Sequence, residues 1–201
     1  MSAGTPSPVL PGATLGILGG GQLGSMFAAA ATRMGYRVEA ISDVADCPAA
    51  RTCQRVHVGD YADPEFLARA AADLDVVTFE FENIPAAAGR TLAGLVTVRP
   101  HPDVLFTTQD RGREKAFLTG HGFPCAPHRL VRSREALHEA VRDLGLPAVL
   151  KTAAFGYDGK GQAKLAVPAD VDAAWDALGA GPRGPNELVL EAFVDFDCEI
   201  S

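Results

Sequence analysis

The residues of this chain best suited to chemistry lie in Leu150–Gln162, LKTAAFGYDGKGQ, where an apolar run ends in Lys151 and a loop with Gly156, Gly159 and Gly161 follows. Glycine admits positive φ, so the amides of such a loop can converge on anionic oxygens, and a lysine held at the strand end adds a full charge. Polyphosphate binding is the chemistry this suits. The order of parts is not that of a Walker A loop, in which the glycines precede the lysine and a helix follows. Ordinary turn chemistry is the competing reading, since Asp158-Gly159 is also a common hairpin signal. Downstream, ELVLE ends in Glu191 and AFVDFDCEIS carries Glu199. Carboxylates at strand ends beside a phosphate loop suit a ribose hydroxyl or a magnesium ion.

Near the start, TLGIL is followed by GGGQLG, and Gly19, Gly21 and Gly24 match G-x-G-x-x-G ahead of a helical pattern. The unpaired amides and the dipole at such a helix start favour an anion. Asp43 closes the next strand, where a dinucleotide site keeps its ribose-binding acid. Taken alone, these residues describe an NAD site, yet the same glycines serve any ligand phosphate that must approach a helix. DVVTFEFEN carries Glu80 and Glu82, which alternation along a strand turns to one face. Carboxylates on a buried face must be neutralised, exposed or bonded, and the plain reading leaves them exposed at the strand's carboxyl end. Ligands of open α/β sheets bind just outside such ends. Arg111 and Lys115 stand one helical turn apart in QDRGREKAFLTGHG, as a solvated basic face or as part of a site, and periodicity does not separate the two.

The elements that must carry these residues alternate at first. Strands are expected at 14–18, 37–42, 55–59, 75–83 and 95–100, with helices between them. Asp63 caps one helix, Pro64 takes its first position, and Pro85 opens another. This alternation predicts an α/β fold with a parallel, doubly wound sheet and a Rossmann-like first unit. After His101-Pro102 helical stretches dominate, and a boundary is placed near residue 108. Ser133 caps the helix REALHEAVRDLG, and LPAVLK and QAKLAV are strands of a hairpin with its tip at 156–161. A helix is expected over 168–178, a surface turn over GAGPRGPN, and a return to the sheet at ELVLE. The chain thus divides into a disordered leader, 1–13, a Rossmann-like domain, 14–108, and an α+β domain, 109–201, whose last residues, CEIS, read as a strand just begun.

Composition narrows the classes. The chain has 201 residues, 47% hydrophobic and 21% charged, enough for one large domain or two small ones. Its net charge of -7 gives no electrostatic footprint for nucleic acid, so anionic ligands must be met by local cations. The start, MSAGTPSPVLPGA, has no basic residue and no long apolar run, so it is not a signal peptide; no later run could span a bilayer, and a cytoplasmic protein is expected. Cys47, Cys53, Cys125 and Cys198 have neither CxxC spacing nor a zinc-type histidine partner and are read as reduced thiols. Trp175 and the scattered histidines define no site.

KTAAFGYDGKGQ followed by EAFVDFDCEIS resembles the 5-(carboxyamino)imidazole ribonucleotide synthases of purine biosynthesis, members of the ATP-grasp superfamily, from about Thr14 to the last residue. The resemblance implies a Rossmann-like domain followed by an incomplete ATP-grasp domain. It implies ATP-dependent carboxylation of aminoimidazole ribonucleotide with bicarbonate through carboxyphosphate, ATP and Mg2+ as cofactors, and a homodimer when complete. ATP would be bound by Arg111, Lys151, the loop residues Gly156, Tyr157, Asp158, Gly159, Lys160, Gly161 and Gln162, the adenine segment Glu191, Ala192, Phe193 and Val194, and Glu199 on the ribose. Gln22, Leu23 and Glu80, with Tyr157 and Asp158, would face the ribonucleotide. Glu82 is a secondary partner, Lys115 a support and Asp43 a structural acid. No metal ligand and no catalytic residue is assigned within these residues, and the 201-residue chain alone is expected to be inactive. Phe155 stands where the family often has a glycine, and Ala153 or Ala154 near where it has a basic residue, which stiffens the loop. Formate-dependent glycinamide ribonucleotide transformylase and biotin carboxylase share the plan, but Gln22-Leu23 and FEFENIP favour the synthase. An NAD-dependent oxidoreductase built on GGGQLG and Asp43, and a non-catalytic binding fragment, are the alternatives from other classes.

Overall fold

β1 (Thr14–Leu18), with Ile17 and Leu18 fully buried, is the central strand of the first of two units, divided between Phe106 and Thr107. The computed structural model describes residues 8–80, 82–154, 161–181, 184–185 and 187–198. β1 lies between β2 (Arg37–Ser42) and β4 (Val76–Phe79), with β3 (Arg55–Val58) and β5 (Thr97–Val98) at the edges. All pairs are parallel, in the order β3-β2-β1-β4-β5. Alternation along the strands feeds two cores. Ile17, Val38 and Ala40 pack with Ala28 and Ala31 of α1 (Gln22–Arg33). Leu18, Ile41 and Val77 pack with α2 (Pro64–Ala71), α3 (Ala86–Ala93) and Leu105 of α4 (Pro102–Thr108). Parallel strands covered on both faces must be apolar on both, which is why TLGIL reads as an unbroken apolar run.

Local signals set most boundaries. Asp63 accepts the N–H of Glu65 and Pro64 opens α2, as turn chemistry dictates. The strand expected over 75–83 stops at Phe79, however. β1 ends at Leu18, the partner of Phe79, and Gly19 turns the chain away at φ 109°, so β4 has no ladder to continue. β5 shrinks to Thr97 and Val98, paired only with Val76 and Val77. The expected disordered leader is not met at residues 9–13: the Tyr36 hydroxyl donates to Val9 O at 2.9 Å, and Gly12 N–H donates to Gly35 O at 2.8 Å.

The second unit is built on an antiparallel sheet in the order β6-β11-β7-β8, formed by β6 (His128–Val131), β11 (Leu188–Ala192), β7 (Ala148–Thr152) and β8 (Gln162–Leu165). One face is aliphatic: Val131, Ala148, Leu150, Leu165, Leu188 and Leu190 bury against α6 (Arg134–Leu144) and α7 (Asp170–Leu178). Ser133 accepts the N–H of Ala136 and caps α6. The other face meets α5 (Arg111–Gly120), where a Cβ on Gly112 would fall 2.7 Å from Cδ2 of Leu130. Glycine eases that approach to the end of the exposed Leu130 side chain. Within GAGPRGPN, expected as a surface turn, β9 (Ala180–Gly181) and β10 (Gly184–Pro185) pair as a two-residue antiparallel ladder. Proline is admitted because it lies on an edge strand that needs no further donor.

Leu190 is fully buried on β11, one of the two inner strands of this sheet. Leu190→Ala should lower stability by about 2–5 kcal/mol, read as a fall in the urea midpoint at constant m-value. Val167→Ala, at a site 51% exposed, should change it by less than about 0.5 kcal/mol.

Candidate functional site

Three charged side chains of the second unit, Lys115, Lys151 and Glu191, gather on the face of the sheet opposite the leucines. Lys151 of β7 pairs with Val189 of β11, and Glu191 lies two residues along β11, so Lys151 and Glu191 are diagonal neighbours on one face. The Lys151 ammonium donates to Glu191 Oε2 at 3.1 Å. From α5, the Lys115 ammonium lies 3.2 Å from Glu191 Oε1, so both carboxylate oxygens are engaged. Glu191 is only 9% exposed. Burial by itself pushes its carboxyl up, but the hydrogen bond and charge of Lys151, joined by Lys115, outweigh burial and hold it below the usual glutamate range. Two ammonium groups against one carboxylate leave an excess positive charge, the complement of an anionic ligand.

Arg111 lies at the start of α5, where Asp110 caps the helix by accepting the N–H of Arg113 at 2.8 Å. Its backbone N–H donates to Ala153 O at 2.8 Å, and its guanidinium Nη1 donates to Thr152 O at 2.7 Å. The root of α5 is therefore fastened to the end of β7, immediately past Lys151. Arg111 and Lys115, one turn apart, thus reach neighbouring strands, Arg111 the end of β7 and Lys115 Glu191 of β11. Gly161, at φ 72°, accepts the N–H of Thr152 at 2.8 Å, and Gln162 pairs with Lys151. Ala192 and Phe193 are partly exposed and Val194 is exposed; the Lys164 ammonium sits 4.1 Å from the centroid of the Phe193 ring. Phe155, Gly156, Tyr157, Asp158, Gly159, Lys160 and Glu199 lie outside the described residues. The bond from Lys115 to Glu191 joins residues far apart in the chain, and its sequence signal was only the helical spacing from Arg111.

In the first unit, the turn after β1 and the residue after β4 meet at the point where the strand order reverses, the place where open α/β sheets bind ligands. Gly21 is the N-cap of α1 and offers no side-chain cap, and the first turn holds no acid. A helix start without a side-chain cap favours an anion nearby. Glu80 lies just past the end of β4, so the argument from alternation, which put Glu80 and Glu82 on one strand face, is replaced by a different placement. Glu82 is exposed, whereas Oε1 of Glu80 comes within 3.1 Å of where a Cβ on Gly21 would stand and 3.5 Å of one on Gly24. The glycines leave room for the acid. That buried oxygen makes no hydrogen bond of ordinary geometry. Burial pushes the Glu80 carboxyl above the usual range; the Gly24 N–H offsets this in part, and the charge of Glu82 adds to it.

Gln22 lines a cleft of about 560 Å3 together with Ser25, Asp46, Cys47 and Arg51, while Leu23 is 58% exposed. Asp43 is exposed beside Tyr61, whose phenol is pushed up first by burial and then by the Asp43 charge. The four cysteines are free thiols. Among the described residues, no three His, Cys, Asp or Glu side chains are grouped to hold a metal ion, and no helix is long and apolar enough to cross a membrane.

Residues 12–109 match the ribonucleotide synthetase preATP-grasp domain, and residues 116–201 match the ATP-grasp domain. The chain thus comprises a preATP-grasp domain followed by an ATP-grasp domain. It is 46% identical over 191 residues to the N5-carboxyaminoimidazole ribonucleotide synthase of Brucella melitensis, a match covering 95% of this chain and 52% of that protein. The crystal structure of an ADP complex of an N5-carboxyaminoimidazole ribonucleotide synthetase matches with a TM-score of 0.86 at 40% identity, over 94% of this chain and 49% of that one. The N5-carboxyaminoimidazole synthase of Aspergillus clavatus, in complex with ADP and 5-aminoimidazole ribonucleotide, matches with a TM-score of 0.72 at 25% identity, over 92% of this chain and 47% of that one. The chain matches the N-terminal half of these relatives and spans about half their length.

Glu80 gives a test of its environment that needs no ligand. A carboxyl whose folded pKa lies above its unfolded value, near 4.3, costs stability once pH rises through that window, and the cost is absent below it. Glu80→Gln, which removes the charge that burial penalises, should therefore be more stable than the parent at pH 8, and the gain should vanish below about pH 4. Thermal melts across that range would read it, and a variant less stable than the parent at pH 8 would refute the assignment.

Proposed function

We propose that the protein catalyses the ATP-dependent carboxylation of 5-aminoimidazole ribonucleotide with bicarbonate, giving N5-carboxyaminoimidazole ribonucleotide, ADP and phosphate in purine biosynthesis. The observation that carries this reading is the pair Lys115 and Lys151 about one buried carboxylate, with Arg111 bonded to the end of β7 at the root of a glycine-bearing hairpin. The ADP in one relative, and the ADP with 5-aminoimidazole ribonucleotide in another, support the choice of ligands. Bicarbonate is a poor electrophile, and its phosphorylation to carboxyphosphate supplies a leaving group within a site closed to water.

In this reading residues 14–108 form the ribonucleotide-binding Rossmann-like domain and residues 109–201 belong to the ATP-grasp domain. Arg111 and Lys151 hold the nucleotide phosphates, and the loop Gly156, Tyr157, Asp158, Gly159, Lys160, Gly161 and Gln162 covers them. Glu191, Ala192, Phe193 and Val194 form the adenine segment, and Glu199 takes the ribose. Gln22, Leu23 and Glu80 face the aminoimidazole ribonucleotide, joined by Tyr157 and Asp158. The free oxygen of Glu80 suits a ribose hydroxyl, because a buried acceptor left without a donor carries a cost that the ligand removes. Magnesium would accompany the nucleotide and spread the phosphate charge. The described residues do not form a cluster that fits it, and none is assigned to it. A cytoplasmic homodimer completes the proposal.

The test is phosphate release from ATP by a form extended to the relatives' length, dependent on both aminoimidazole ribonucleotide and bicarbonate. Equal release with glycinamide ribonucleotide and formate would overturn the choice of substrate. Turnover is expected only from the extended form and not from the 201 residues by themselves. Lys151→Ala should weaken ATP binding roughly ten- to a hundredfold, the worth of a charge-assisted bond, and Lys160→Ala much less. Glu80→Gln should raise the KM for the ribonucleotide while leaving ATP affinity within about twofold; loss of ATP binding alone would reverse the domain roles.

A further inference from the structure

Glu191 is bonded to two lysines that differ in their surroundings. Lys115 reaches it from α5 with a side chain only 14% exposed, whereas the Lys151 side chain, at the open end of β7, is 25% exposed. The two ammonium groups hold different oxygens, Oε1 and Oε2, so either bond can break while the other persists. A phosphate that approaches Lys151 competes with the Glu191 carboxylate for the same ammonium. If Lys151 were the sole partner, its transfer to the phosphate would leave a buried carboxylate with no counter-ion, an arrangement proteins strongly disfavour.

We propose that Lys115 is a positioning residue for nucleotide binding: it keeps Glu191 paired, so that Lys151 is free to turn from the carboxylate to the nucleotide's phosphates. The cluster works as an exchange. Without ligand, Glu191 neutralises both lysines in part; with a polyphosphate present, Lys115 and Glu191 remain a neutral pair and Lys151 carries its full charge to the ligand. Lys115 itself makes no contact with the nucleotide. This role rests on the proposal above that Lys151 binds the phosphates, and it adds a residue whose effect passes through another.

The distinguishing readout is the difference between ATP and adenosine, since adenosine has no phosphate to draw Lys151 away. Binding of both would be measured by calorimetry on the form extended to the relatives' length. Lys115→Met should weaken ATP at least about tenfold and adenosine less than about twofold, and Lys115→Arg, which retains the charge, should restore ATP affinity to within about threefold of the parent. In a Glu191→Gln background there is no carboxylate to be stranded, so adding Lys115→Met should cost ATP less than about threefold. The double variant contains neither Lys115 nor the carboxylate it pairs with, so the comparison stands even if Lys115→Met alone fails to fold. A loss of about tenfold or more on adding Lys115→Met to Glu191→Gln would make Lys115 a direct ligand and overturn the proposal. Equal losses of ATP and adenosine in Lys115→Met would overturn it too, as a general disturbance of the fold. Failure of the underlying reading appears separately: Lys151→Ala would then leave ATP affinity unchanged.

Discussion

A carboxylate withdrawn from water must be matched by charge where it lies, and in this protein that constraint falls on Glu191. It sits on β11, next to β7 and β6, with Leu188 and Leu190 before it in sequence turned to the aliphatic core. The strand therefore carries two environments at once, an apolar one toward α6 and α7 and an ionic one toward α5. Lys151 answers the charge from within the sheet, and Lys115 answers it from the helix. The second answer draws α5 down on the sheet, which Gly112 permits by bringing its backbone against Leu130. Arg111 then meets the end of β7 as a consequence of the same docking. Packing, charge and the position of the candidate nucleotide residues are one problem with one solution.

The first unit obeys a related rule by different means. Its sheet is apolar on both faces, so polar groups collect where strands stop. β1 stops at Gly19 and β4 at Phe79, and the two ends leave a gap at the reversal of strand order. Glu80 enters that gap beneath a glycine turn that has no side chains to exclude it. An acid so near uncapped helix amides partly satisfies them, but one of its oxygens stays without a bond. A site that leaves a buried acceptor open is less stable than it might otherwise have been made, a common feature of places where a ligand completes the structure.

These two local arrangements explain how an acidic chain can be built for anionic ligands. The net charge of -7 opposes phosphate at long range, but over distances beyond about 10 Å salt screens that repulsion. Close contacts then decide. The cations that matter are held partly out of solvent, and their charge acts at short distance in a medium less polar than water.

Much of the fold was legible in the sequence, because local signals and the final structure agree. The period of apolar residues, the caps at Asp63 and Ser133, and the glycine at 161 with its positive φ each report a backbone requirement that neighbouring residues create by themselves. The parallel sheet followed from alternation of strands and helices, and the hairpin of β7 and β8 from two apolar runs around a glycine loop. Candidate residues such as Lys151 and Glu191 stood out by type and by their place at strand ends. Other features depend on partners distant in the chain. β4 stops at Phe79 because β1 runs out beside it, so Glu80 leaves the strand and meets the glycine turn, a relation that alternation within DVVTFEFEN misplaced. The meaning of Lys115 likewise rested on whether α5 lay over the charged face or the aliphatic one, and periodicity is silent on which face a helix covers. Spacing along the chain determines what each residue can be, whereas pairing across it, set by which strands and helices pack together, decided which charges meet.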